Sequence, residues 1–191
     1  ILETARHAPS GGNVQPWQVT VLTGESLTHL RTAMQGAMAT PQTPEYRIYP
    51  ADLPDPWRTR RGANGEALYG ALAIGREDRA ARMRQMARNF DFFGAPVGLF
   101  LHMPKFMGPP QWADLGIWLQ TVMLLLVEAG LGSCAQEAWS IYPETVKQVA
   151  QIPNDHLLFC GLAIGWPDPD APVNSFANAR APLAESARFL D

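Results

Sequence analysis

Alternating and continuous apolar patterns predict the strands of this chain. Trp17 to Leu22 alternates apolar and polar residues, which predicts a strand that ends at Thr23-Gly24. Pro96 to Met103 predicts a second strand, and the nearly unbroken apolar run from His156 to Gly165 predicts a third, buried one.

Helical spacing of apolar residues predicts the helices, at Leu2–Ala8, around Leu27 to Met34, from Ala80 to Phe90, at Trp112–Ala129 and from Pro143 to Pro153. Ser26 is the expected N-cap of the second helix, and Gly130 lies near the C-terminal end of the fourth. Met83 and Met86 belong to the expected apolar face of the third. Strands and helices mix without a regular βαβ alternation, so we expect an α+β fold with helices packed on a mostly antiparallel sheet.

The helix from Trp112 to Ala129 is apolar on nearly every side. Its longest apolar stretch, Leu115 to Val127, is too short to span a membrane and is interrupted by Gln120 and Thr121. Both faces of such a helix need a cover. In a chain of 191 residues a dimer partner could cover one of them.

The chain length fits a single domain, residues 1–191, with two irregular segments. Five prolines break up residues 40–66, which we interpret as an exposed loop or a lid and, because of its arginines, as the place where substrate is selected. The tail, residues 167–191, is expected to be an arm that reaches over a neighbour. Ile1 resembles the middle of a helix, so we expect an N-terminal segment to be missing.

Composition narrows the class of partner. Only 17% of the residues are charged, which is typical of a chain that hides part of its surface. The net charge of -3, without a basic block, argues against nucleic acid. Cys134 and Cys160 are far apart and form no disulfide framework, which favours the cytoplasm. The four histidines show no metal-ligand spacing.

The stretch from Pro9 to Trp17 is the first candidate site. Ser10, Gly11 and Gly12 combine small side chains with accessible N–H groups, so the backbone can approach a flat ligand closely. Asn13 and Gln15 each offer a donor and an acceptor, as the mixed edge of a pyrimidine ring requires. The alternative is a helix-to-strand turn without a ligand.

Two further segments are weaker candidates. Ala135 to Trp139 follows the buried helix and could turn backbone N–H groups toward a ligand, or could be a tight connection with a core tryptophan. Arg180 is a lone basic residue of the tail, where most arginines are solvated. The loose dinucleotide pattern from Gly130 to Ala135 follows a helix rather than a strand, so we interpret it as coincidence.

Taken together, these motifs resemble the FMN-dependent nitroreductase family, and most closely its nitrobenzoate and nitroaromatic reductase branch. The resemblance covers nearly the whole chain in order. The matching segments are Ala8–Trp17, Asn89–Pro96, Gly130-Leu131, Ala135–Trp139, Phe159–Gly165 and Arg180–Leu183.

The resemblance implies a sandwich fold that is stable as an intertwined homodimer, with two FMN molecules at the interface. One subunit would contact the isoalloxazine ring through Pro9, Ser10, Gly11 and Asn13. It further implies ping-pong chemistry, in which NAD(P)H gives a hydride to flavin N5 and a nitroaromatic or quinone-like acceptor then takes its place. No side chain is implied as acid or base, so no catalytic residue is named.

The remaining implied contacts come from three places along the chain. Gln136 and Glu137 would supply backbone contacts from the other subunit, with the Glu137 N–H near flavin N5. Arg180 would pair with the FMN phosphate. Asn89 would reach the ribityl chain or the ring edge. The family's N-terminal Arg-Ser-Arg-like phosphate motif would lie before Ile1, so we expect it in the missing N-terminal segment; the alternative is that phosphate binding is weak.

Two alternatives keep the same resemblance. The fold could serve reductive dehalogenation or other flavin chemistry, or the chain could be a non-catalytic flavin-binding dimer.

Overall fold

The computed structural model describes residues 1–190, which form six α-helices and four strands. The helices are α1 (Leu2–Ala5), α2 (Gly24–Ala37), α3 (Trp57–Ala71), α4 (Arg79–Ala87), α5 (Pro109–Glu128) and α6 (Pro143–Ala150). The strands are β1 (Gln18–Thr23), β2 (Val97–Pro104), β3 (Gly132–Gln136) and β4 (His156–Gly165). Short 3₁₀ segments include Gly11–Asn13, Arg88–Gly94 and Glu137–Ile141.

The strands form one sheet in the order β1-β2-β4-β3, and every neighbouring pair is antiparallel. The predicted α+β class with an antiparallel sheet is therefore confirmed. Three of the four strands begin and end within a residue or two of their predicted limits. The fourth, β3, was not predicted, because Gly132-Ser133-Cys134-Ala135 has neither the β-branched nor the aromatic residues that mark a strand.

Each face of the sheet carries its own hydrophobic core. On one face Phe100 and Leu158 pack with Phe92 and Trp139, under α2 and α6. On the other face Leu99 and Leu162 pack against α1 and the long helix α5, in a cluster that also includes Leu101, Met103, Leu115, Trp118, Val122 and Cys160. The inner side of α5 is thus covered within the chain, as predicted.

The opposite side of α5 stays exposed. Ile117, Leu124 and Val127 are 42, 60 and 68% exposed. Within residues 1–190 the structure has no helix that is both long and apolar enough to cross a membrane.

A β-bulge interrupts the pairing of β2 with β4. Leu101 pairs with Cys160 and His102 with Leu158, so Phe159 is the extra residue. The Phe159 carbonyl accepts a hydrogen bond from the Tyr46 hydroxyl, and the Leu158 N–H donates to Glu45 Oε2 at 2.7 Å. The segment before Ile48 is therefore tied to the sheet through Glu45 and Tyr46, although Thr43, Pro44 and Arg47 are exposed.

The chain divides into two compact units. One consists of Ile1–Ile48 and Gln85–Pro167, and contains the sheet. The other combines Tyr49–Arg84 with the chain from Asp168 onward. Within the second unit Arg60 forms an ion pair with Glu185.

Four details differ from the sequence predictions. First, the proline-rich segment from residue 40 to 66 was predicted to contain no long helix or strand, but α3 begins within it at Trp57, directly after Pro56. Thr23 is the N-cap of α2, whereas the Ser26 hydroxyl accepts from the Thr23 N–H at 3.1 Å. α5 begins at Pro109, because proline suits the first helical turn. Finally, the expected apolar face of α4 is exposed at its two methionines, Met83 and Met86.

Candidate functional site

The turn between α1 and β1 has an unusual backbone. Gly12, Asn13 and Gln15 have φ values of 58, 58 and 51°, in the left-handed region that side chains disfavour. Glycine and asparagine adopt this region more readily than other residues, whereas glutamine does so at a cost. Three such positions within five residues make this turn a strained segment, and strain of this kind clusters at functional sites.

Hydrogen bonds hold the turn in this shape. The Gln15 N–H donates to Ser10 Oγ at 2.9 Å, and Gln15 Nε2 donates to Asn13 Oδ1 at 3.1 Å. The Gly11 N–H donates to Asp114 Oδ1 of α5 at 3.1 Å. Sequence reasoning missed Asp114 as part of the site, and the one available signal was a carboxylate at the border of an apolar helix.

The outer surface of the turn is open. Pro9, Gly11 and Asn13 are exposed, and Ser10 is half-buried. A Cβ built on Gly11 would meet no described heavy atom within 4 Å. A flat ligand can therefore approach the backbone here without meeting a side chain.

Gln136 ends β3 and is buried, with its side chain turned into the protein. Its Nε2 donates to the Asn89 carbonyl at 2.9 Å and to Asn89 Oδ1 at 3.1 Å, and its Oε1 accepts from Trp139 Nε1 at 3.5 Å. The structure thus brings Asn89 and Gln136 together. Because the Gln136 amide is engaged inside, any contact of Gln136 with a ligand would have to come from its backbone. Glu137 follows it and is exposed.

A buried aromatic ring fixes the segment that carries Asn89. Phe92 lies in the left-handed region at φ 49° and is fully buried, with its ring 4.5 Å from that of Trp139. A Cβ on Gly98 would lie 2.3 Å from this ring, and one on Gly161 would lie 2.3 Å from Trp139. Glycines in β2 and β4 therefore make room for the two rings, which pack beside the Asn89–Gln136 contact.

Arg180 belongs to the second compact unit. Its Nη1 donates to the carbonyls of Asn178 and Ala179 at 3.0 and 3.2 Å. These bonds leave the rest of the exposed guanidinium free to bind an anion.

The two cysteines are free thiols, and burial raises the pKa of both Cys134 and Cys160. Neither is therefore poised as a thiolate. Within the described part of the chain no three His, Cys, Asp or Glu side chains are grouped as metal ligands would be. The site consists instead of backbone, amides and small residues, which suits an organic ligand.

Comparison with known proteins gives this geometry a family. The sequence profile of the Nitroreductase family matches residues 1–166. The nitrobenzene nitroreductase of Ectopseudomonas oleovorans is 35% identical over 196 residues, covering 100% of this chain and 85% of the relative. The 4-nitrobenzoate reductase of Pseudomonas putida is 36% identical over 190 residues, covering 100% and 84%.

A solved structure is similar over the whole length of this chain. It is the FMN and NADPH-dependent nitroreductase NfnB from sphigopyxis sp. strain HMH, with a TM-score of 0.97 and 50% identity. The match covers 100% of this chain and 86% of that one. The profile, the relatives and the shared fold agree, and the chain belongs to the nitroreductase family.

Proposed function

We propose that this protein is an FMN-dependent oxidoreductase that uses NAD(P)H to reduce nitroaromatic or quinone-like compounds. The observation that carries the proposal is the strained, open turn from Ser10 to Gln15, with its exposed glycine backbone. A flat ring with a polar edge fits such a surface, because no side chain blocks its approach to the Gly11 backbone. The names of the relatives supply the class of acceptor.

The residues of this chain bind and orient the cofactor. Pro9, Ser10, Gly11 and Asn13 would contact the isoalloxazine ring, and the backbone of Gln136 and Glu137 would contact it from the partner subunit. Asn89 contributes by holding the Gln136 amide, in addition to the ring-edge or ribityl contact that the resemblance implies. Arg180 pairs with the phosphate through its free guanidinium nitrogens. FMN, when bound, supplies the hydride chemistry, so the protein needs no acid or base of its own.

A homodimer completes the proposal. The outer side of α5 presents Ile117, Leu124 and Val127 to solvent, and a second copy of the chain would remove them from water. The two free cysteines agree with a place in the reducing cytoplasm.

Anaerobic reduction of the purified protein tests the function. We expect the purified protein to contain bound FMN, and NADH or NADPH to bleach it. A panel of acceptors, which includes a nitrobenzoate, a quinone and a halophenol, should then reoxidise the flavin. Reoxidation by halophenols but by no nitro compound would indicate reductive dehalogenation instead. Bound FMN that neither nicotinamide reduces would indicate a binding protein, and protein that takes up no FMN would overturn the proposal.

A graded series at Gly11 tests the site itself. Gly11→Ala and Gly11→Leu place increasing bulk in space that is open in the structure, so the fold should tolerate both. We expect FMN binding to weaken progressively, while the urea midpoint stays near that of the parent protein. Unchanged FMN affinity in Gly11→Leu would exclude ring contact at this turn.

A further inference from the structure

Asp114 is a carboxylate enclosed by the apolar side of α5. It is 5% exposed and is followed by Leu115 and Trp118 on the buried face of the helix. Its Oδ1 accepts the Gly11 N–H at 3.1 Å. Its Oδ2 is buried and has no hydrogen-bond donor among residues 1–190. A buried carboxylate with an unused oxygen is costly for the fold, so its presence calls for a role other than stability.

The role follows from what Asp114 contacts. Within the described residues, its bond to Gly11 is the one hydrogen bond that joins the Ser10–Gln15 turn to another element of the fold. The remaining hydrogen bonds of the turn are internal, so they can shape it but cannot fix where it stands. Residues 11 and 114 are 103 positions apart, and α5 is a rigid, well-packed helix.

We propose that Asp114 is a positioning residue, which holds the turn in its left-handed conformation at the place where the flavin ring binds. The ligand's identity as FMN rests on the function proposed above. A buried hydrogen bond is electrostatically stronger than the same bond in water. The turn is thereby organised before the ligand arrives, which reduces the ordering that binding would otherwise require.

Three substitutions separate positioning from a merely structural role. Asp114→Asn keeps an acceptor oxygen for the Gly11 N–H. Its amide nitrogen replaces Oδ2, an atom that accepts no hydrogen bond from residues 1–190, so no donor faces the new N–H groups. Asp114→Leu removes the acceptor but suits the apolar surroundings, so stability should hold or rise. Asp114→Ala serves if the leucine variant does not fold. Val122→Ala is the matched control, since Val122 is fully buried on the same helix, about two turns beyond Asp114.

Titration of the apoprotein with FMN, with riboflavin as a second probe, gives the binding readout. We expect Kd to rise about tenfold or more in Asp114→Leu or Asp114→Ala for both flavins, in line with the loss of one hydrogen bond that positions the turn. Asp114→Asn should stay within about threefold of the parent protein. Val122→Ala should lower the urea midpoint while leaving Kd unchanged.

Hydrogen exchange of the peptide spanning residues 9–17 in the apoprotein gives a readout that needs no flavin. Exchange should accelerate in Asp114→Leu or Asp114→Ala and not in Asp114→Asn. Unchanged exchange and Kd in the leucine and alanine variants would overturn the inference, as would a Val122→Ala variant that weakens flavin binding equally. A parent protein that takes up no FMN would refute the proposed function alone, because the exchange measurement still decides the role of Asp114.

Discussion

The Nδ1 atoms of His102 and His156 face each other at 2.8 Å, on neighbouring strands β2 and β4. Both side chains are buried, so one ring donates its N–H and the other accepts it. Burial, together with the electrostatic effects of the neighbouring His156 and Lys147, lowers the pKa of His102 to about 4. The pair is thus stable with His102 neutral.

This pair predicts a loss of stability in mild acid. Unfolding restores the ordinary pKa of 6.5 for His102, so between that value and about 4 the unfolded chain binds more protons than the folded one. The free energy of unfolding should therefore fall as the pH drops through this window, by about 2–3 kcal/mol from this group. Urea unfolding across this pH range measures it. His102→Asn should flatten the dependence, and His29→Asn, at an exposed position, should leave it intact.

Removal of the Glu45 carboxylate is expected to lower the free energy of unfolding strongly. Burial raises the pKa of Glu45, but hydrogen bonds from Lys147, the Leu158 N–H and Lys105 outweigh this and hold that pKa below its usual range. Glu45→Ala would leave Lys147, 6% exposed, without its counter-ion, at a cost of about 3–5 kcal/mol in urea unfolding. Glu144→Ala, at a nearby exposed position on α6, should change stability by less than about 0.5 kcal/mol. Equal effects of the two would contradict this account.

Position 161 is expected to tolerate no side chain larger than that of glycine. An added Cβ would lie 2.3 Å from Trp139 and 3.1 Å from Phe92, both fully buried. Gly161→Ala should therefore cost about 3 kcal/mol or more in thermal or urea unfolding. Gly36→Ala is the control, because its Cβ would enter open space in the last turn of α2. It should stabilise the protein slightly, by up to about 1 kcal/mol. A neutral Gly161→Ala would refute the tight packing.

Substitution of Arg180 is expected to weaken the binding of FMN, which carries a phosphate, without weakening the binding of riboflavin. If its guanidinium pairs with the phosphate, Arg180→Ala should weaken FMN binding by about 10- to 100-fold, in line with a charge-assisted hydrogen bond. Riboflavin, which lacks the phosphate, should bind the variant and the parent protein equally. Arg188→Ala, also in the exposed tail, is the matched control. Equal weakening of both flavins would show that Arg180 acts on something other than the phosphate.

Local patterns sufficed to predict much of this fold. The limits of β4 were predicted to the residue, because a ten-residue apolar run has few alternatives. By contrast, β3 forms because its residues Gly132 to Gln136 pair with β4. Pairing with a distant strand does not require a recognisable pattern in these small residues themselves. α3 also lacked a signal, since none of its residues is buried and no apolar stripe is needed.

The site shows the same division between local and distant information. The sequence alone indicated a flexible turn at Ser10 to Gly12, because its small residues let the backbone bend and approach a ligand. It did not indicate Asp114, whose partner Gly11 lies 103 positions away. Likewise, the resemblance pointed to Gln136 but not to its hydrogen bonds with Asn89, which turn the glutamine side chain inward.

The bulge at Phe159 has a consequence for aggregation. β3 pairs with β4 only from Gly161 to Gly165, so the half of β4 before it has no strand on that side among the described residues. Open strand edges recruit other chains, and proteins protect themselves by covering or charging such edges. Glu45 and Tyr46 occupy the backbone groups of Leu158 and Phe159, and Glu45 adds a charge there. These two contacts therefore cover part of a strand edge that would otherwise be open to pairing with another chain.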